Sequence, residues 1–379
     1  MIDKLQQQEE RIKFQDQCVS LSLENKHLLI QAATGVGKGL AAIKAIEASP
    51  SFKSWLVVVP EILQIKNFKD DLELHGYEEL LGTKIIDVIC YASLEKWKNC
   101  TVNLMLNEVH KLTDLRSDIV NTIKFDQIIS DSATVSGEIE AKLYDICPFY
   151  KYGLSLDEAI ERGILPPPTI HIINIELNDT IKRNPTKFAK TTYKLTDLGK
   201  SQWYDKQVKY WLKRYEEDDE EWMKNKVIRF GGERKKFLAH LKTPAAKKLL
   251  TELKGKRLIC FTGSTEQCDE LGGEYAVHSK KTKKHNAAVI EGFNNGTINE
   301  AYFNKMAREG MNFTGIEVGV SVQLDSGNDE GLSFLQKTGR AMRADDPHIY
   351  ILIAKDTHDE KFLKKALENI DEKYIVYGD

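Results

Sequence analysis

The sequence predicts an α/β protein, with two parallel-sheet domains and a helical insertion between them. Three observations carry this. Apolar strand-like runs alternate with helical patterns over residues 1–176. Strand signals thin out over residues 177–253, where long charged helical patterns replace them. Alternation then resumes over residues 254–379. Strands separated by helices cross over, so each alternating stretch is expected to build a parallel sheet.

In the first domain, apolar runs place strands at 28–32, 55–59, 85–91, 104–106, 128–130 and 170–175. Pro166-Pro167-Pro168 marks a break late in this stretch. In the insertion, helices are expected at 201–215 and 234–253. Trp203, Tyr204, Tyr210, Trp211, Tyr215 and Trp222 concentrate there. They are expected to pack the insertion onto the sheet domains rather than to stack on bases. The acidic run Glu216-Glu217-Asp218-Asp219-Glu220-Glu221 reads as a solvated face. In the second domain, strands are expected at 257–261, 275–278, 301–303, 318–324 and 349–354.

Composition bounds the function. The chain has 379 residues, 41% hydrophobic and 29% charged, which excludes a disordered protein. No apolar stretch approaches the roughly 18–20 residues of a membrane span. The opening Met1-Ile2-Asp3-Lys4-Leu5-Gln6 has no apolar signal core, so export is not expected. Six cysteines form no CxxC pair, which fits reducing cytoplasm better than a zinc site or a disulfide framework. A net charge of −3 excludes a uniformly basic nucleic-acid binder. It leaves room for a basic groove, since binding depends on where charge sits. Lys280-Lys281-Thr282-Lys283-Lys284-His285 is a local basic run.

Two short segments carry the chemistry. Ala32-Ala33-Thr34-Gly35-Val36-Gly37-Lys38-Gly39 follows an apolar strand and precedes a helical pattern, the context of a phosphate-binding loop. Gly35 and Gly37 allow a tight turn that aims backbone N–H groups at phosphate oxygens. The helix N-terminus adds its positive dipole end, and Lys38 is suited to the β- and γ-phosphates of ATP. Far along the chain, Arg340 and Arg343 are three residues apart in Gln336-Lys337-Thr338-Gly339-Arg340-Ala341-Met342-Arg343, so on a helix they share a face with Gln336. A guanidinium fork suits charge developing on a transferring phosphoryl group. A third segment, Asn107-Glu108-Val109-His110, ends an apolar strand. Taken alone it fits a helix cap with a surface acid as well as a metal-facing acid.

Jointly these segments resemble the motifs of a superfamily 2 helicase, of the small type related to phage UvsW-like and RadD-like proteins. Arg11-Ile12-Lys13-Phe14-Gln15 resembles the adenine-recognition segment, with Gln15 the base contact. Residues 32–39 are similar to motif I, so Thr34, Gly35, Val36, Gly37, Lys38 and Gly39 are the implied ATP contacts. Val57-Val58-Val59-Pro60 and Tyr91-Ala92-Ser93-Leu94 resemble elements that touch the nucleic-acid backbone. Asn107-Glu108-Val109-His110 stands in the place of the DExH box, and Ser132-Ala133-Thr134 in that of motif III. Leu258-Ile259-Cys260-Phe261-Thr262, Arg308-Glu309-Gly310-Met311-Asn312 and residues 336–343 resemble motifs IV, V and VI. The resemblance implies two RecA-like domains, ATP and Mg²⁺ as cofactors, and Glu108, Gln336, Arg340 and Arg343 as catalytic residues. It also implies that the arginines address the γ-phosphate across an interdomain cleft.

The chain departs from the family at two metal positions. Gly39 stands where relatives carry a Ser or Thr hydroxyl, and Asn107 where they carry an aspartate. Asn107 and Glu108 remain the candidate metal residues. Asn107→Asp, alone or with Gly39→Thr, is expected to raise ATPase activity or to lower the Mg²⁺ it requires.

The expected function is that of an ATP-hydrolysing translocase or helicase. It would work as a monomer in the cytoplasm of a bacterium or phage-infected cell, on DNA rather than RNA, with little sequence specificity. Lys66, Ser93, Lys280, Lys281, Lys283 and Lys284 are the candidate nucleic-acid contacts. Two rivals stand beside it. One is a nucleic-acid-binding or annealing protein that hydrolyses ATP poorly, and the other a motor subunit for a separate nuclease.

Overall fold

The computed structural model describes residues 4–188, 191–304, 313, 315–324, 346–368 and 370–378. The chain divides into a first compact unit running to Pro167 and a second beginning at Pro168.

The first unit orders its elements as α1 (Lys4–Glu24), β1 (His27–Ala32), α2 (Lys38–Ala48), β2 (Trp55–Val59), α3 (Ile62–Leu74), β3 (Ile85–Cys90), β4 (Asn103–Leu106), α4 (Asp114–Thr122), β5 (Ile128–Ser132), α5 (Gly137–Ile146), β6 (Tyr150–Leu154) and α6 (Leu156–Glu161). Its six strands pair in parallel in the order β3-β2-β4-β5-β1-β6. Strands β2, β4 and β5 are buried along their whole length. Burial on both faces is the reason β2 reads as a continuous apolar run. Strand β5 lies between β4 and β1, which decides what meets at their C-terminal ends.

The second unit continues with β7 (Thr169–Ile175), β8 (Asn184–Phe188), β9 (Thr191–Leu195), α7 (Asp197–Asp218), α8 (Glu221–Glu252), β10 (Leu258–Phe261), α9 (Thr265–Gly272), β11 (Ala276–Val277), α10 (Lys283–Asn294), β12 (Glu300–Phe303), β13 (Val318–Ser321), β14 (His348–Ala354), α11 (His358–Ala366) and β15 (Ile375–Gly378). Its main sheet runs β11-β12-β10-β13-β14-β7-β15. Every pairing in it is parallel.

Three differences from the sequence reading stand out. The strand expected at 170–175 belongs to the second sheet, where β7 pairs with β14 from Thr169 to Ile175 and also with β15. Apolar alternation identifies a strand but not its sheet, and the triple proline separates the units rather than ending the first one late. The segment read as a helical insertion also contains an antiparallel hairpin, β8–β9. Within the second unit, α7 and α8 pack against each other as a helical pair. Strand β6, unforeseen in the sequence, closes the first sheet beside β1.

The rings of the helical pair pack chiefly on one another. Trp203 lies 5.7 Å from Phe230, Tyr204 6.0 Å from Phe237, and Trp211 5.4 Å from Trp222. Lys200 Nζ sits 4.6 Å over the Trp203 ring. The acidic run spans the turn between the two helices and is exposed throughout, with Asp219 in the left-handed conformation that ends α7. Helix α8 is anchored by a buried lysine. Lys242 Nζ donates to Leu352 O at 3.1 Å and to Asp359 Oδ2 at 2.7 Å.

Candidate phosphate and metal site

The site grows from the end of β1. After Ala32 the chain turns through Gly35 and Gly37, whose φ values are 96° and 95°. Those angles favour glycine because a Cβ would clash with the backbone. Val36 between them is fully buried and pins the turn to the unit's interior. Gly37 is the N-cap of α2 and offers no side chain to cap it, so the first N–H groups of that helix remain open to an anion.

Gln15 of α1 closes the other side of the turn. It is 5% exposed, and a Cβ added to Gly37 would meet its Nε2 at 2.8 Å. The glycine is thus needed twice, for its φ and for the approach of the glutamine amide. Lys38 folds back on the turn, donating to Ala32 O at 2.8 Å and Ala33 O at 3.3 Å. These carbonyls hold the ammonium. Thr34 is half-buried in the same loop. Beside Gly39 there is open space, with nothing within 4 Å of where a Cβ would stand.

Strand β4 delivers the second component. Asn107 follows Leu106 and its backbone N–H donates to Val58 O at 2.9 Å. Glu108 adopts φ 50°, a left-handed conformation uncommon for a non-glycine residue. His110 Nδ1 lies 2.9 Å from Ser132 Oγ and 3.3 Å from Glu108 Oε2. Ser132 Oγ donates to Thr134 O at 2.7 Å. The Asn107-Glu108-Val109-His110 segment and the Ser132-Ala133-Thr134 segment are therefore joined by side chains.

The structure adds a residue that the sequence reading overlooked. Asp131, on β5 immediately before Ser132, is 1% exposed. The Asn107 amide Nδ2 donates to both of its oxygens, at 3.1 and 3.0 Å, and the Glu108 N–H donates to Oδ1 at 3.3 Å. A signal was available: an acid on a strand otherwise composed for burial needs a partner. Burial, reinforced by the Glu108 carboxylate, pushes the Asp131 carboxyl up to about 6, against the pull of Lys38, the Asn107 bond and the Glu108 N–H.

This geometry corrects the expectation for Asn107→Asp. A carboxylate there would put an acceptor in place of an amide nitrogen that lies 3.0 Å from Asp131 Oδ2. Two facing carboxylates cannot both ionise without cost. The single change therefore creates a repulsion rather than restoring a site.

A stability prediction follows from the sign of the Asp131 shift. Its folded value, about 6, lies above the ordinary aspartate value of 3.8. Below both values the carboxyl is neutral in either state. As pH rises from about 4 to 6, the unfolded chain releases the proton before the folded one, so the group makes folding less favourable. Asp131→Asn is expected to gain about 1–3 kcal/mol at pH 7.5, and the gain should vanish near pH 4. Urea unfolding of both proteins at four pH values checks this. A pH-independent difference would show that charge is not its cause.

The remaining candidates are placed as follows. Lys66 is exposed on α3, and Ser93 is half-buried, its Oγ 3.6 Å from Cys90 Sγ. Lys280 pairs with Glu266 at 2.5 Å and Lys281 with Asp269 at 2.8 Å, while Lys283 and Lys284 open α10. Part of the basic run is thus balanced by acids of α9. Gln336, Arg340 and Arg343 lie outside the described residues. All six cysteines are free. Among the described residues no group of three or more His, Cys, Asp or Glu forms a metal-holding cluster, and no helix is long and apolar enough to cross a membrane.

Residues 241–345 match the family model described as helicase conserved C-terminal domain. A search of curated protein sequences gives no match. Similar solved structures include the Hef helicase domain of Pyrococcus furiosus, at 11% identity and TM-score 0.54, over 92% of this chain and 96% of that one. They also include S. cerevisiae Dbp5 bound to RNA and ADP BeF3, at 11% identity and TM-score 0.62, over 97% and 89%. A third is Mss116p bound to single-stranded RNA and AMP-PNP, at 12% identity and TM-score 0.58, over 95% and 72%. Residues 241–345 are thus similar to a helicase conserved C-terminal domain, and the two parallel-sheet α/β units share the RecA-like fold of these helicase structures.

Proposed function

We propose that this protein is an ATP-dependent nucleic-acid translocase or helicase of superfamily 2, acting on DNA with little sequence preference. One observation supports this most strongly. A phosphate-binding turn, the Gln15 amide against it, and the acids Glu108 and Asp131 all come from α1 and the adjacent strands β1, β4 and β5. Ligands of open α/β sheets bind at such carboxyl ends of strands. The donors fit a nucleoside triphosphate with a divalent cation: an uncapped helix start, a lysine and an amide carbonyl beside a buried carboxylate.

In this reading the open N–H groups at the start of α2 and Lys38 bind phosphate oxygens, and Gln15 reads the base. Glu108, held by Ser132 and His110, takes the proton of an attacking water. Mg²⁺, when bound, neutralises charge on the β- and γ-phosphates. Arg340 and Arg343 supply positive charge to the transferring phosphoryl group. The protein works as a cytoplasmic monomer. Relatives captured with RNA make RNA the alternative polymer.

The test is Mg²⁺-dependent ATP hydrolysis measured with no polymer, single-stranded DNA, forked DNA and RNA. Stimulation by DNA is expected, and stimulation by RNA alone would move the substrate. A second reading has its own support in Gly39, which has no side-chain oxygen, and Asn107, which has an amide in place of a carboxylate: a nucleic-acid-binding or annealing protein, or a nuclease's motor subunit, with weak hydrolysis. Absence of turnover on every polymer would favour it. Arg343→Ala is expected to lower kcat about 10³-fold while nucleotide affinity changes little, because the arginine acts on charge present in the transition state. Normal turnover at saturating ATP would remove that role.

A further inference from the structure

We infer that Asp131 has taken over, from the neighbouring strand, the negative charge that the metal site would otherwise receive at position 107, and that it acts through Asn107 as a positioning residue. The inference rests on the ATP-binding reading above.

An ionised carboxylate only accepts, so the face that Asn107 turns to Asp131 must be its amide nitrogen. Both bonds, at 3.1 and 3.0 Å, come from Nδ2. The orientation of the amide is thereby settled by its partner, and the carbonyl Oδ1 faces away from Asp131. That oxygen makes no hydrogen bond among the described residues. A hard cation takes oxygen ligands, amide carbonyls included.

The second observation is the placement of Asp131. It lies on β5, between the strand that carries Asn107 and the strand that carries the phosphate loop, paired with Ile30 of β1. It is fully buried, with Glu108 tied to it through the backbone. A carboxylate beneath an amide polarises the carbonyl toward a cation and supplies charge without direct coordination. This is the same relation by which outer carboxylates orient metal-ligating histidines. In that arrangement an asparagine at position 107 is not a lost ligand. It is half of a carboxylate–amide pair whose charge sits one strand over.

The experiment uses the full-length protein with AMP-PNP and Mn²⁺, with bound Mn²⁺ read by electron paramagnetic resonance. AMP-PNP affinity in EDTA is measured separately. Asp131→Asn is expected to weaken Mn²⁺ in the AMP-PNP complex by about 10- to 100-fold, with metal-free AMP-PNP affinity within about 3-fold of the parent. The exchanged variant, Asn107→Asp with Asp131→Asn, keeps one acid and one amide and is expected to recover most of the loss. Unchanged Mn²⁺ affinity in Asp131→Asn overturns the inference, as does an exchanged variant no better than the single one. If the parent itself fails to bind AMP-PNP, the ATP-binding reading fails and takes this inference with it. If the parent binds AMP-PNP and Mn²⁺ and the variants match it, only the inference fails.

Discussion

Lys38→Ala is expected to reduce ATP turnover at least about 10²–10³-fold, the cost of removing one preorganised donor from developing phosphoryl charge. The lysine stands at the first position of α2, on a turn whose glycines both hold positive φ. Its ammonium is held by Ala32 O and Ala33 O, carbonyls of the same loop. Losing those contacts costs up to about 1–3 kcal/mol of stability, because the Ala32 carbonyl is buried and loses this donor. Most nucleic-acid binding should survive, since Lys38 addresses phosphates of the nucleotide. Steady-state hydrolysis at saturating DNA, with thermal unfolding as a control, makes the measurement. Full activity in a folded variant would reduce the loop to a structural turn.

Lys242→Met is expected to destabilise the second unit by about 3–5 kcal/mol, as removing one partner of a buried pair does. Both side chains are 0% exposed. Burial lowers the pKa of Lys242, and the Asp359 charge opposes that shift. Asp359 Oδ2 also accepts from the Ala354 N–H at 3.2 Å, and Oδ1 from Gln323 Nε2 at 2.8 Å. Without the ammonium this carboxylate keeps two donors but has no countercharge. The variant that also carries Asp359→Asn should recover a good part of the loss, because the uncompensated charge is gone. Chemical denaturation of the two variants beside the parent gives the answer. A single-variant loss below about 1 kcal/mol would mean that water reaches the pair in solution.

Legibility in the sequence followed the range of the interactions. The strand–turn–helix over 32–39 was readable because its requirements are local: glycines with positive φ at 35 and 37 and a helix start at Lys38. The strand at 55–59 was readable because burial on both faces leaves an unbroken apolar run. The rings of the 201–230 region were expected to pack rather than stack on bases, and they do pack, although chiefly between α7 and α8. The strand at 169–175 was recognised as a strand and given to the wrong sheet. Its partners, β14 and β15, lie nearly two hundred residues onward, and nothing in its own composition names them.

By itself, then, the sequence determined the fold class: parallel-sheet units, and a glycine turn between a strand and a helix. These depend on backbone conformation and apolar periodicity, which adjacent residues dictate. Only the tertiary structure decided what stands beside Asn107. Read along the chain, that residue is a missing aspartate. Read across the sheet, it donates to Asp131, 24 residues away, because β5 is the neighbour of β4. Lys242 is the same case, one lysine among many in a charged helix until folding buries it against Asp359. A buried charge acquires its meaning from the partner that compensates it, and sheet topology, not spacing, brings that partner within reach.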